Sequence, residues 1–157
     1  MKKLTVCVPM VSILSLLLAT GSLAQHIGRD TYQRPSEGWG PGGRYGRMYN
    51  PKTVETINGE VVSVTKMTPM KGMTAALHLM LKTDKETVSV HLGPWWYLEK
   101  QKVKLEPKDT IEVKGSRVTF NEKPAIIAAE VKKGTEVMRL REETGFPVWL
   151  GSKPPLE

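Results

Sequence analysis

The stretch Ala75-Ala76-Leu77-His78-Leu79-Met80-Leu81-Lys82-Thr83-Asp84-Lys85-Glu86-Thr87-Val88-Ser89-Val90-His91-Leu92-Gly93 reads as a β-hairpin. Leu77, Leu79 and Leu81 recur with period two on one arm, and Val88, Val90 and Leu92 do so on the other. Asp84-Lys85 fits a two-residue turn, although it lacks the favoured Asp-Gly pair. With those residues in the turn, Thr83 pairs with Glu86 and every further pair keeps the same summed number. Leu81 then faces Val88 and Leu79 faces Val90, apolar against apolar, so the register is self-consistent. The same register sets His78 opposite His91 on the face away from the leucines, with Met80 and Ser89 as the next pair. Strands are expected over Ala75–Thr83 and Glu86–Gly93.

Working outward, Val54 to Lys66 is β-branched and alternating. Its apolar face changes parity between Val61 and Val62, just after Gly59, which predicts a bulge and a bent strand. On the other side Pro94 opens a short helical segment running to Gln101, with Trp95 and Leu98 on one buried face. Lys108-Asp109 turns into a strand over Thr110–Phe120, where Gly115-Ser116 again flips the alternation. A turn over Asn121–Pro124 leads to a strand Ala125–Lys132, with Ile127, Ala129 and Val131 facing one way. A last amphipathic strand spans Glu136–Arg141. No internal repeat is present. This order predicts a mostly β chain built as an OB-fold-like five-stranded Greek-key barrel, with one short helix between the third and fourth strands and a C-terminal strand or tail. A generic antiparallel barrel or sandwich competes with it. The expected core is Leu77, Leu79, Leu81, Val88, Val90, Leu92, Ile111, Val113, Ile127 and Val131.

The ends of the chain carry other information. Lys2 and Lys3, the apolar run from Leu4 to Ala19, and Ser22-Leu23-Ala24 have the form of a signal peptide cleaved after Ala24. Residues 1–24 are therefore the expected signal, and the mature chain starts at Gln25, in the periplasm or outside the cell. The apolar run is too short for a permanent span, so no integral membrane protein is expected after cleavage. Residues 25–52 are rich in glycine, proline and arginine without apolar period, and read as a disordered arm. The barrel domain is expected over 53–141 and a tail over 142–157. The single cysteine, Cys7, lies within the signal. Disulfides, thiolate metal sites and cysteine nucleophiles are thereby excluded from the mature chain. Net charge is +7, and +5 once Lys2 and Lys3 are removed (7 − 2), a modest excess that favours anionic partners without choosing among them.

Three segments carry a resemblance: Val90-His91-Leu92-Gly93-Pro94-Trp95-Trp96-Tyr97, Asp109-Thr110-Ile111-Glu112-Val113-Lys114-Gly115-Ser116 and Pro124-Ala125-Ile126-Ile127-Ala128-Ala129-Glu130-Val131. Over roughly Thr53 to Trp149 the chain resembles the small exported OB-like domain shared by the magnetosome proteins MamS and MamX. More loosely it is similar to periplasmic OB-fold (BOF) proteins. The resemblance implies a periplasmic accessory or binding role with no agreed reaction. The haem motif Cys-x-x-Cys-His is absent, so c-type electron transfer is not expected.

For catalysis the sequence shows no Gly-x-Ser-x-Gly elbow, His-Glu-x-x-His pair or phosphate-cradling glycine loop. An enzyme is not expected; the partner is an unidentified periplasmic protein or small ligand. Two site readings compete with that generic module. In an OB barrel the outer face of strands two and three is a common binding surface. His78 and His91 sit there, Met80 is alongside, and the loop from Met67 through Met70 to Met73 places a thioether at every third position. Imidazole with thioether suits copper, above all Cu(I). The plainer alternatives are a half-exposed histidine pair and methionines acting as apolar filler. The second site reading is a polyanion or nucleic-acid surface of Lys66, Lys71, Lys82, Lys114 and Arg117. It is disfavoured, because the outer face of strands two and three lacks the aromatics on which single-stranded bases stack.

Overall fold

The computed structural model describes residues 38–151. The signal segment 1–24, the first part of the expected arm (25–37) and the end of the tail (152–157) lie outside the described residues. Six strands follow one another: β1 (Val54–Met67), β2 (Ala76–Lys82), β3 (Thr87–Pro94), β4 (Thr110–Phe120), β5 (Lys123–Lys133) and β6 (Glu136–Arg139). A single helical turn, α1 (Trp95–Leu98), stands between β3 and β4. The sheet order is β3-β2-β1-β4-β5-β6, and a parallel β3–β5 pairing closes the first five strands into a barrel. This is the OB-type connectivity, with β6 added along the part of β5 that β3 leaves open.

The hairpin has the register its alternation dictates. His78 pairs with His91, Leu79 with Val90, Met80 with Ser89 and Leu81 with Val88. The Thr83 amide donates to the Glu86 carbonyl at 2.8 Å, and the Thr83 hydroxyl buttresses the turn. Beyond His78 the register slips: Leu77 pairs with Gly93, and Leu92 becomes the extra residue.

β1 serves two neighbours, which is why it is long and bent. Val54–Glu60 pairs with β4, and Glu60–Met67 pairs with β2. The bulge between Val61 and Ser63 turns Val62 out to solvent while Val61 stays fully buried. A second irregularity differs from expectation. Lys114 pairs with Glu130 and Gly115 with Ala128, so the extra residue is Ala129 on β5, not a flip within β4. Its consequence is a change of side: Ile126 pairs with Val90 and faces the barrel interior, whereas Ile127 pairs with His91 on the outside. Ile127 is buried as expected, but in a different layer. Among the other expected core residues only Leu77 is half-buried.

α1 is shorter than the expected segment. After Leu98 the chain tightens, with Lys100 and Gln101 amides returning to the carbonyls of Tyr97 and Leu98. Leu98 is buried, whereas Trp95 stays half-buried under the Lys66 ammonium, 4.4 Å from the ring centroid.

The outside of the barrel carries a second apolar layer that composition alone does not suggest. Residues 38–52, expected as part of a disordered arm, place Trp39 and Tyr45 at 2 % exposure. From the C-terminal side Trp149 joins them, its indole Nε1–H donating to the Trp39 carbonyl at 3.2 Å, with the two indoles edge to face at 6.0 Å. Gly93 permits this close approach, since a Cβ there would fall 2.8 Å from the Trp149 ring. Three large aromatic surfaces share one patch, and each buries roughly 150–250 Å² of mainly apolar area, which is what holds these glycine-rich turns in place.

Candidate functional site

Strand alternation puts His78 and His91 outside the barrel, back to back with Leu79 and Val90. That face is not open. Both histidines are buried, their rings stacked 3.9 Å apart at 22°. Phe120, at the end of β4, meets His91 edge-on at 4.7 Å. The Tyr45 hydroxyl shares a 2.9 Å hydrogen bond with His91 Nδ1. Trp39 stands against Tyr45 in turn, at 5.1 Å. The lid over the histidines is thus the segment after Gly38 together with Phe120.

Burial sets the protonation of this cluster. Desolvation lowers His78 to about 4, and lowers His91 to about 3, with the neighbouring His78 and Arg141 charges adding to it. The buried Tyr45 phenol is pushed well above its usual value, so it stays protonated. All three groups are neutral near pH 7. His78 Nε2 is buried without a hydrogen-bond partner. Stacked imidazoles hold their nitrogen lone pairs in two nearly parallel planes, so joint ligation of one ion requires a ring to turn.

The methionines are dispersed around this cluster. Met80 lies on the histidine face of β2 and is half-buried, Met67 is 40 % exposed, and Met70 and Met73 pack against the core. Met73 touches the backbone region of Gly38, at the start of the lid. The described residues contain no group of three or more His, Cys, Asp or Glu side chains spaced to hold a metal.

The basic residues are not gathered on one face either. Lys66 covers Trp95, and Lys82 is opposite Glu60 at the far end of the β1–β2 pair, about 16 Å away along the strands. Lys71 and Lys114 are exposed. The Arg117 guanidinium is held by Glu55 and Glu86 at 2.6 and 2.7 Å, which neutralises it.

Arg141 is a feature the sequence reading missed. The amphipathic strand expected over Glu136–Arg141 ends on it, and nothing in that pattern singles it out. It is only 6 % exposed and makes no ion pair among the described residues. Nη1 donates to the carbonyls of Ala128 at 2.8 Å and Leu92 at 3.4 Å. The guanidinium lies 4.6 Å over the Trp149 ring and 6.0 Å from that of Tyr49. Burial lowers its pKa to about 10, still fully charged at neutral pH. It borders an open cleft of about 500 Å³ between the chain before β1 and the β5–β6 edge. A signal was available: Leu140-Arg141 precedes a turn whose Gly145 and Pro147 fold Trp149 back.

Fold and surface together define a small OB-type module, a closed barrel whose usual ligand face is covered by its own aromatic lid. The chain belongs to the MamS/MamX magnetosome protein family, whose model matches residues 53–138, from the lead into β1 to within β6. No curated protein matches the chain. No helix among the described residues is long and apolar enough to cross a membrane.

Proposed function

We propose that this protein is an exported, non-enzymatic accessory protein of the magnetosome system, acting by binding through its OB-like domain. The observation that carries the reading is the family match across the barrel. The charged start, apolar run and Ser22-Leu23-Ala24 of the N-terminus support export. The barrel contributes a scaffold: its interior is filled with side chains, so any ligand or partner is met on the outside.

Two measurements test this. Mass spectrometry of the protein recovered from the envelope fraction of a magnetosome-forming bacterium should show Gln25 as the first residue. An intact Met1 terminus in the cytoplasmic fraction refutes export. Deletion of the gene should alter magnetosome number or size in electron micrographs while leaving growth intact, and unchanged magnetosomes refute the accessory role.

A further inference from the structure

A buried guanidinium without a carboxylate is unusual, because the charge is costly to desolvate unless paired. Arg141 has only part of its hydrogen-bonding capacity used. Nη1 serves two main-chain carbonyls, while Nε and Nη2 make no hydrogen bond among the described residues. Nε with Nη2 is the edge of the guanidinium whose parallel N–H bonds match the two oxygens of a carboxylate. The ring stacked beneath the group and the two carbonyls fix its plane before any ligand arrives. The cleft it borders supplies the space.

The cleft also limits what charge it accepts. Lys114, Arg139 and Arg141 oppose Glu130, Glu142 and Glu143 around it, and Arg139 is already 3.8 Å from Glu130. Three positive and three negative groups sum to zero, so a monoanion is tolerated where a phosphate dianion meets the carboxylates of the rim. Tyr49 and Val54 line one side and offer an apolar wall for a short tail.

We infer that the cleft beside Arg141 is a binding site for a small organic monocarboxylate, its carboxylate seated on the free edge of the guanidinium and its apolar tail against Tyr49 and Val54. The inference deepens the binding role proposed above, and its test is independent of where the protein resides or what the gene does for magnetosomes.

The test is a titration of the purified full-length protein with benzoate and butyrate, followed by the Arg141 Nε–H and Trp149 indole signals in ¹H–¹⁵N spectra. Saturable shifts are expected with a dissociation constant of about 1 mM, the scale of one bidentate pair. Benzamide, which lacks the charge, should leave both signals in place, and phosphate should bind at least about tenfold more weakly than benzoate. Arg141→Lys keeps the charge but loses the fork, and should weaken benzoate at least about tenfold. Because that change is buried, a second variant leaves the core alone. Glu142→Gln with Glu143→Gln, both exposed, removes rim repulsion and should tighten benzoate several-fold. Absent or unsaturable shifts in the wild type, equal shifts with benzamide, or unchanged benzoate affinity in the Glu142/Glu143 variant would each overturn the proposal.

Discussion

Acidification below about pH 6.5 should destabilise this domain, and His78 and His91 are the reason. In the folded chain burial holds His78 to about 4 and His91 to about 3. Unfolded, each returns to roughly 6.5. Between those limits the unfolded state binds more protons, so stability is present above pH 6.5 and is lost as pH falls toward the folded values. From pH 7 to pH 5 the linkage amounts to about 2 kcal/mol per histidine, or about 4 kcal/mol for the pair. That is a large part of the 5–15 kcal/mol typical of a domain of this kind.

Urea unfolding followed by tryptophan fluorescence measures this directly. With a slope near 2 kcal/mol per molar, the midpoint should fall by about 2 M between pH 7 and pH 5. His78→Phe keeps an aromatic ring on His91 and removes one proton site, so its midpoint should fall by about half as much. His26 is common to both proteins and cancels in the comparison. A wild-type midpoint that hardly moves over this range would refute buried neutral histidines. So would an equal drop in wild type and variant, which would assign the protons elsewhere.

Four further outcomes follow from the packing. Trp39→Ala empties the centre of the outer aromatic layer and should cost about 3–5 kcal/mol in urea unfolding, whereas a loss under 1 kcal/mol would mean that the lid is not packed. Tyr45→Phe leaves His91 Nδ1 unpartnered in a buried site and should cost about 1–3 kcal/mol; an unchanged midpoint would remove the Tyr45–His91 bond from the account. Arg117→Ala breaks two ion pairs that are about a third exposed, so a loss below about 1 kcal/mol that shrinks further in high salt is expected, and a larger, salt-independent loss would contradict it. Copper titration of wild type and His78→Phe should give equal, weak binding, because the stacked rings do not converge on one ion; tighter binding by the wild type would restore a metal site on this face.

Period-two alternation made the barrel legible because each strand buries one face at most and the turn chemistry pins the register. Leu79 against Val90 and His78 against His91 follow from a two-residue turn at Asp84-Lys85 alone. The bulge at Val62 was legible too, since a parity change in an apolar strand leaves one residue with nowhere to go but solvent. Ala129 was not, because Ile126, Ile127, Ala128 and Ala129 are all apolar and a strand buried on both sides has no alternation to read.

The same difficulty, in stronger form, hid the site. Glycine and proline between Ser36 and Gly46 reduce average hydropathy, and an average cannot register that order in such a segment depends on a few aromatic anchors. Trp39 and Tyr45 find a surface because β2 and β3 present a pair of neutral imidazoles, flat, weakly polar and ready to stack, where exposed charges would have kept the face wet. The burial of Trp149 in turn depends on Trp39, and the guanidinium of Arg141 lies over Trp149. The cation that defines the cleft is therefore positioned through a local turn that brings back Trp149 and a distant contact that joins Trp149 to Trp39. Residue types marked the two histidines as a candidate site; the structure covers them with Tyr45 and Phe120, contacts that depend on segments far apart in the chain, and sets Arg141 beside the open cleft.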